Sequence, residues 1–377
     1  MKTAILMPLA EQRGGAEQLL RLFLRYLPDD PVNWIPIFFE NGPLVEEART
    51  LGFDVQILPV GRLRQPIRYT RAVEQLTGLF RQKQVTLVLS WMGKAHLYGG
   101  VAARVGGIPA IWFQHGIPQG RAWMDRLITR IPAAGVLACS QAAAEAQRQL
   151  RPERSIIVVY PAVDLSAFDP DSLPTPVEAR RQLGLPENGP LIGMVGRLQR
   201  WKGMHTLIQA MPQILERYPE ARAVIVGGRH ELEPDYEDEL RRLINWLGLQ
   251  DRVWLTGFQT DIPRWMQAMD VVVHASDREP FGVVVIEAMA LGKPVVAGAE
   301  GGPREIITEG VDGLLAPYED VETLARQIRR YLDDPDFARR VGEAARRRAH
   351  DFSPEAFVDR LITVLQTINA LDPHLVA

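Results

Sequence analysis

Two carboxylates eight residues apart, Glu279 and Glu287, bracket the stretch Asp277-Arg278-Glu279-Pro280-Phe281-Gly282-Val283-Val284-Val285-Ile286-Glu287. The first falls in a loop after an apolar run and the second about a turn and a half into a helix. At about 3.6 residues per turn, both can reach one ligand lying over the helix N-terminus. Carboxylates accept hydrogen bonds from sugar hydroxyls, and open backbone N–H groups at Phe281, Gly282 and Val283 would add donors. Gly282 lets the backbone approach closely. The helix dipole also favours acids near a helix start, so the pair gains weight only from its company. That company includes Arg197 and Lys202 in Gly193-Met194-Val195-Gly196-Arg197-Leu198-Gln199-Arg200-Trp201-Lys202-Gly203. Two cations at a strand-to-helix turn fit a diphosphate, although solvated surface charges would look the same. Gly14-Gly15-Ala16-Glu17 permits a tight turn after a first strand, and His115 in Gln114-His115-Gly116 stands at the end of another strand, where a histidine can touch a reacting group. Neither a Walker A sequence nor an intact G-x-G-x-x-G is present, which leaves an ATPase or a nicotinamide oxidoreductase without direct support.

Short Val/Ile/Leu-rich runs alternate with helical periodicity throughout. Strands are predicted at Thr3–Met7, Trp34–Phe39, Val55–Leu58, Thr86–Ser90, Ala110–Phe113 and Gly135–Ala138, with helices between most of them. The same rhythm restarts at Leu191–Val195, Ala223–Val226, Val253–Leu255, Val271–His274 and Pro294–Ala297. This is an α/β pattern of two Rossmann-like domains, which would face each other across a cleft with ligands at the carboxyl ends of the strands. Residues 1–165 form the predicted N-terminal domain and 189–352 the predicted C-terminal domain. Pro170, Pro174, Pro176 and Pro186 mark 166–188 as a linker. Beyond the break at Phe352-Ser353-Pro354, residues 353–377 read as a final helix.

The chain has 377 residues, 46% hydrophobic and 24% charged, which suits a soluble globular protein of two domains. It has no run of about 20 apolar residues for a membrane span, and Thr3–Met7 reads as a buried strand rather than a secretory signal, so a cytoplasmic protein is expected. A single cysteine, Cys139, excludes an internal disulfide, and the 7 histidines form no zinc-ligand cluster, so no metal is expected. Residues 1–160 carry 19 Lys+Arg against 12 Asp+Glu, a charge of +7, whereas the remainder carries −10. The first half is therefore the half suited to an anionic partner. A nucleic-acid role is disfavoured by the overall acidity and the lack of basic or aromatic binding motifs.

Together these residues make the chain resemble the retaining glycosyltransferases of family 4, which have the GT-B fold. The resemblance rests on the E-x7-E pair Glu279 and Glu287 with its Glu-Pro-Phe-Gly core, on Gly-Arg-Leu…Trp-Lys-Gly at 196–203, on Gly14-Gly15-Ala16-Glu17 and on His115-Gly116. Gly301-Gly302-Pro303-Arg304-Glu305, Gly313-Leu314-Leu315 and Cys139-Ser140 extend it over nearly the whole chain. Pro-Ala-Val-Asp at 161–164 departs from the usual Asn-Gly-Val-Asp, and Gly227-Gly228-Arg229-His230 stands where Gly-Asp/Glu-Gly is usual.

The resemblance implies a metal-independent hexosyl transfer from a nucleotide diphosphate sugar, UDP-sugar before GDP-sugar, with no cofactor beyond that donor. The acceptor would be a hydroxyl of a sugar, sugar phosphate or lipid-linked molecule on the side of residues 1–165, residues 189–352 would bind the nucleotide sugar, and the helix of 353–377 would cross back to the N-terminal domain. Arg197 and Lys202 would neutralise the diphosphate, Glu287 would hold the ribose, and Glu279, with N–H groups at Phe281, Gly282 and Val283, the sugar. Gly14 and Gly15 would close over the phosphates, and His115 would sit near the anomeric carbon. Retention would follow front-face attack, in which the leaving phosphate takes the acceptor's proton. Arg64 and Arg68, in a basic run with Arg62 and Arg71, and Lys94 are the acceptor-side candidates. They would meet a phosphorylated acceptor or the inner face of a membrane, as a solvated face would also explain. The rival readings are a nucleotide-sugar epimerase and a non-catalytic nucleotide-sugar-binding protein.

Overall fold

The computed structural model describes residues 1–11, 14–28, 31–61, 64–118 and 122–370. It divides into two compact units, Met1–Ala162 with Pro354–Ala377, and Val163–Ser353.

The first unit runs β1 (Thr3–Met7), α1 (Gly15–Tyr26), β2 (Trp34–Phe38), α2 (Pro43–Thr50), β3 (Gln56–Ile57), α3 (Pro66–Gln82), β4 (Leu87–Ser90), α4 (Gly93–Gly106), β5 (Ala110–Gln114), α5 (Trp123–Arg130), β6 (Gly135–Ala138), α6 (Gln141–Leu150) and β7 (Ile156–Val158). Its seven strands are parallel in the order β3-β2-β1-β4-β5-β6-β7. Every residue of β1, β2, β4, β5 and β6 is buried, as expected of a sheet covered on both faces.

The second unit holds α7 (Pro176–Gln182), β8 (Leu191–Val195), α8 (Met204–Leu215), β9 (Arg222–Val226), α9 (Tyr236–Trp246), β10 (Val253–Gly257), α10 (Ile262–Ala268), β11 (Val271–His274), α11 (Val283–Ala290), β12 (Val295–Gly298), α12 (Pro303–Ile306), β13 (Leu314–Ala316), α13 (Val321–Asp333) and α14 (Pro335–Ala349). Its six parallel strands repeat the order, β10-β9-β8-β11-β12-β13. In both sheets the order reverses beside the first strand, between β1 and β4 and between β8 and β11. A crevice opens at such a switch point because the connections leave in opposite directions. The last helix, α15 (Pro354–Ala370), belongs to the first unit: Phe357 meets the rings of Phe23, Trp91 and Phe113 at centroid distances of 6.2, 6.5 and 6.3 Å.

The structure adds α5, α6, β7, α7, α12 and β13 to the predicted elements. Helix α6 is short and its apolar residues are nearly all alanine; Ser140 starts it by accepting a hydrogen bond from Ala143 N at 3.0 Å. The expected linker at 166–188 is a correction. The chain changes unit at Ala162/Val163, and the proline-rich segment is built into the second unit. Pro176 starts a helix there rather than breaking one, because a proline at the first helical position gives up an N–H that has no partner anyway. Thr175 and Glu178 cap that helix reciprocally. Arg180 on α7 is buried, pairs with Asp270 at 2.6 Å, and donates to the carbonyls of Ala268, Glu187 and Gly189 at 2.8, 3.2 and 3.1 Å.

Arg180→Ala removes four hydrogen bonds at once. It is expected to destabilise the second unit by about 2 kcal/mol in urea denaturation. A free linker would show no change.

Candidate active site

Strand β8 delivers Gly196 and Arg197 at its carboxyl end, and a short turn over Arg200–Lys202 leads through Gly203 into α8. Gly203 has φ +74°, and a Cβ on it would strike the carbonyl oxygen of Ala275, so glycine is what lets this loop press against the end of β11. Asp277 N donates to Trp201 O at 2.7 Å and ties the two loops together. Arg200 anchors the turn from its other side: its side chain reaches Glu233, Asp235 and Glu239 at 3.1, 2.9 and 2.5 Å.

The loop after β11 carries Glu279. Arg278 before it is held at φ +38°, a left-handed conformation that costs energy in a residue with a side chain. Gly302 N donates to Glu279 O at 2.8 Å, and a Cβ on Gly301 would collide with that same oxygen, so the glycine pair braces the loop from β12. Lys202 Nζ lies 2.5 Å from Glu279 Oε2, and their side chains are only 15% and 11% exposed. His274 Nε2 stands 3.0 Å from the same Oε2 and 3.1 Å from Ser276 Oγ. Burial alone would raise the Glu279 carboxyl, but the Lys202 ammonium and the His274 hydrogen bond outweigh it and hold the group well below the usual carboxylate range. Glu279 is therefore ionised throughout the working pH range and can accept hydrogen bonds without giving up a proton.

Gly282, at φ +104°, leads into α11 with no side chain capping the helix, while Phe281 is buried edge-on to Phe352 and Val283 is half-buried. Glu287 is also half-buried; its carboxyl makes no ion pair or hydrogen bond with a described residue, and loss of solvation pushes it up to about 7. Seven of the predicted residues, Arg197, Lys202, Glu279, Phe281, Gly282, Val283 and Glu287, thus stand at the β8/β11 switch point or on the helix that follows it. Lys202 and Glu279 are in contact. Arg197, exposed, lies apart from them with its Nη1 3.4 Å from His230 Nε2.

In the first unit Gly14 precedes α1 in an extended conformation and Gly15 is the helix's first residue. His115 follows β5 with its ring 4.2 Å from that of Phe113, and Nε2 is shielded from solvent with no partner among the described residues. Burial pushes its imidazole down to about 3 against an opposing hydrogen bond to the Trp91 backbone. Another histidine, His96, is fully buried and stacked on Trp112 as part of the core. Arg64, Arg68, Arg71 and Lys94 are exposed and form no ion pair among the described residues; Arg68 donates to Gln65 at 3.4 Å. Arg62 lies outside the described residues.

Sequence reasoning missed His274 and Ser276, whose signal is a polar pair closing the apolar run Val271–Val273 just before Glu279, and it assigned no role to His230. Among the described residues no three His, Cys, Asp or Glu side chains are grouped to hold a metal ion, and no helix is long and apolar enough to cross a membrane.

Residues 13–167 match the family model of Glycosyltransferase Family 4, and residues 177–348 that of Glycosyl transferases group 1. D-inositol 3-phosphate glycosyltransferase of Thermomonospora curvata is 32% identical over 305 residues, covering 72% of this chain and 70% of that protein. The enzyme of that name from Corynebacterium urealyticum is 35% identical over 217 residues, 56% of this chain and 51% of that protein. The chain thus spans about half the length of the latter relative. Among solved structures, Anabaena HepE in complex with UDP-glucose has a TM-score of 0.84 at 29% identity, covering 97% of this chain and 100% of that one. Sucrose-phosphate synthase from Thermosynechococcus elongatus gives 0.81 at 25%, covering 98% and 99%. The fold is GT-B.

The Glu287 carboxyl is protonated more readily in the folded chain than in the unfolded one, so its contribution to stability falls as pH rises from about 4.5 through about 7. Glu287→Gln is expected to raise the melting temperature at pH 8 by several degrees and to leave it unchanged at pH 4. An equal difference at both pH values would contradict the assigned environment.

Proposed function

The chain belongs to the family 4 and group 1 glycosyltransferases, and from that membership we propose that it is a retaining hexosyltransferase using a nucleotide diphosphate sugar without a metal ion. The observation that carries this reading is the buried Lys202–Glu279 contact at the β8/β11 switch point. Lys202 has three donors and gives one to Glu279, which leaves two for phosphate oxygens. Arg197 adds a planar donor fork from the same loop. Negative charge grows on the diphosphate as the glycosidic bond breaks, and cations placed there stabilise that charge more in the transition state than in the ground state.

Glu279, held ionised, accepts hydrogen bonds from the sugar hydroxyls. Its low proton affinity also makes it a poor general acid, which weighs against an epimerase. Glu287 suits the ribose: two hydroxyl donors would offset the desolvation of a carboxylate that no described residue satisfies. The open start of α11 supplies N–H donors beside them. His115 is assigned to the sugar side of the reaction, as a neutral imidazole with an unpartnered nitrogen. In front-face transfer the acceptor hydroxyl attacks on the side the diphosphate leaves and its proton passes to the leaving phosphate, so no side-chain nucleophile is needed.

A UDP-sugar is the favoured donor, supported by the UDP and UDP-glucose complexes of HepE. The relatives named for D-inositol 3-phosphate favour a phosphorylated acceptor, for which Arg64, Arg68 and Lys94 supply positive charge on the first unit. A lipid-linked acceptor at the inner face of a membrane would use the same charge.

The test is transfer and slow donor hydrolysis with UDP-, GDP- and ADP-sugars in EDTA. One donor is expected to be used, EDTA to have no effect, and the anomeric configuration to be kept by NMR. Lys202→Ala and Glu279→Ala are each expected to lower kcat/KM about 100- to 1,000-fold in folded protein. Arg197→Lys should also be damaging, since a point charge does not replace a fork. Wild-type rates in the first two variants would overturn the site, and donor binding without turnover would favour a sensor.

A further inference from the structure

We propose that His230 is a third anion-binding side chain of this site, beside Lys202 and Arg197, aimed together with Arg197 at one oxygen of the donor's diphosphate. The proposal rests on the donor reading above. His230 follows β9, the neighbour of β8, and the pairing of these strands continues past their ends: Leu198 N donates to Gly228 O at 3.0 Å, and Leu198 bridges Arg229. A Cβ on Gly227 would collide with the carbonyl oxygen of Gly196, so the glycine is what allows the two loops to lie this close. The result is the 3.4 Å approach of His230 Nε2 to Arg197 Nη1.

The other ring nitrogen decides what that approach is. Leu232 N donates to His230 Nδ1 at 3.3 Å, within a tight turn where Glu233 N donates to His230 O at 3.0 Å. A nitrogen that accepts a hydrogen bond carries no proton, so the neutral ring keeps its proton on Nε2. A guanidinium has donors only. Two N–H groups therefore face each other with no acceptor from the described residues between them. Such a pair is unfavourable alone and becomes favourable around a shared anionic oxygen. Two carboxylates lie on the same turn: Glu231 is exposed, and Glu233 Oε2 accepts from Arg200 N and Nη1 at 2.9 and 3.1 Å; among the described residues neither carboxylate is hydrogen-bonded to Arg197 or His230. A phosphate oxygen of a nucleoside diphosphate answers both donors.

Calorimetry of the full chain with UDP, GDP and ADP, the matching nucleoside, and inorganic pyrophosphate tests this. His230→Leu is expected to weaken the preferred nucleoside diphosphate and pyrophosphate about tenfold, one charge-assisted hydrogen bond's worth, and to leave the nucleoside unchanged. His230→Gln, whose amide Nε2 can donate from a similar reach, is expected to restore most of that affinity. Unchanged diphosphate affinity in His230→Leu, with affinity lost in Lys202→Ala, would overturn this proposal and leave the donor reading standing. Absence of binding of all three diphosphates to the unmodified protein would overturn both. Nitrogen NMR on histidine-labelled protein gives an independent check: the Nε2–H tautomer is expected at His230, and the Nδ1–H tautomer would overturn the proposal.

Discussion

The contact between Lys202 and Glu279 joins the loops that leave two neighbouring strands, β8 and β11, and the rest of the candidate site is arranged around it. A charge so little exposed is tolerable only when paired, and removing either partner leaves the other stranded. The two loops are therefore bound to come together in one arrangement. Backbone bonds from Asp277 to Trp201 and from Gly302 to Glu279 set that arrangement, and Gly203 and Gly301 remove the side chains that would prevent it. The Arg200 cluster holds the same turn from outside. Its carboxylates are partly exposed and surface ion pairs add little stability, so its value is positional.

Environment divides the labour of the two carboxylates. Glu279 and Glu287 carry the same functional group, yet one is drawn well below the usual range and the other raised to about 7. The difference is a partner. Glu279 has an ammonium and an imidazole N–H against it, whereas Glu287 is desolvated with no cation among the described residues to offset the loss. The first is a permanent acceptor. The second is a carboxylate whose charge a ligand's hydroxyls would stabilise, so binding there and ionisation are linked.

Most of the fold was legible in the sequence because parallel strands buried on both faces leave uninterrupted apolar runs, as in Ile5-Leu6-Met7 and Val271-Val272-Val273. What escaped had weak or misleading local signals. Strands β7 and β13 are three residues long, the apolar face of α6 is built from alanines, and the prolines of 166–188 look like a break although Pro176 begins α7. No local pattern reveals that Arg180 on that helix is buried against Asp270, 90 residues further along the chain.

By itself the sequence determined the two-fold α/β rhythm and the chemical types in the loops that leave the strands and the helices that follow them: Arg197, Lys202, Glu279, Glu287, Gly14, Gly15 and His115. These are properties of short segments, which periodicity and spacing record directly. The tertiary structure alone decided which of those groups meet. Strand order is set by long-range packing, and only the placement of β8 between β9 and β11 puts Lys202 on Glu279 and Arg197 beside His230. Protonation followed from that meeting, because a pKa depends on the charges and solvent around a group and not on its neighbours in sequence.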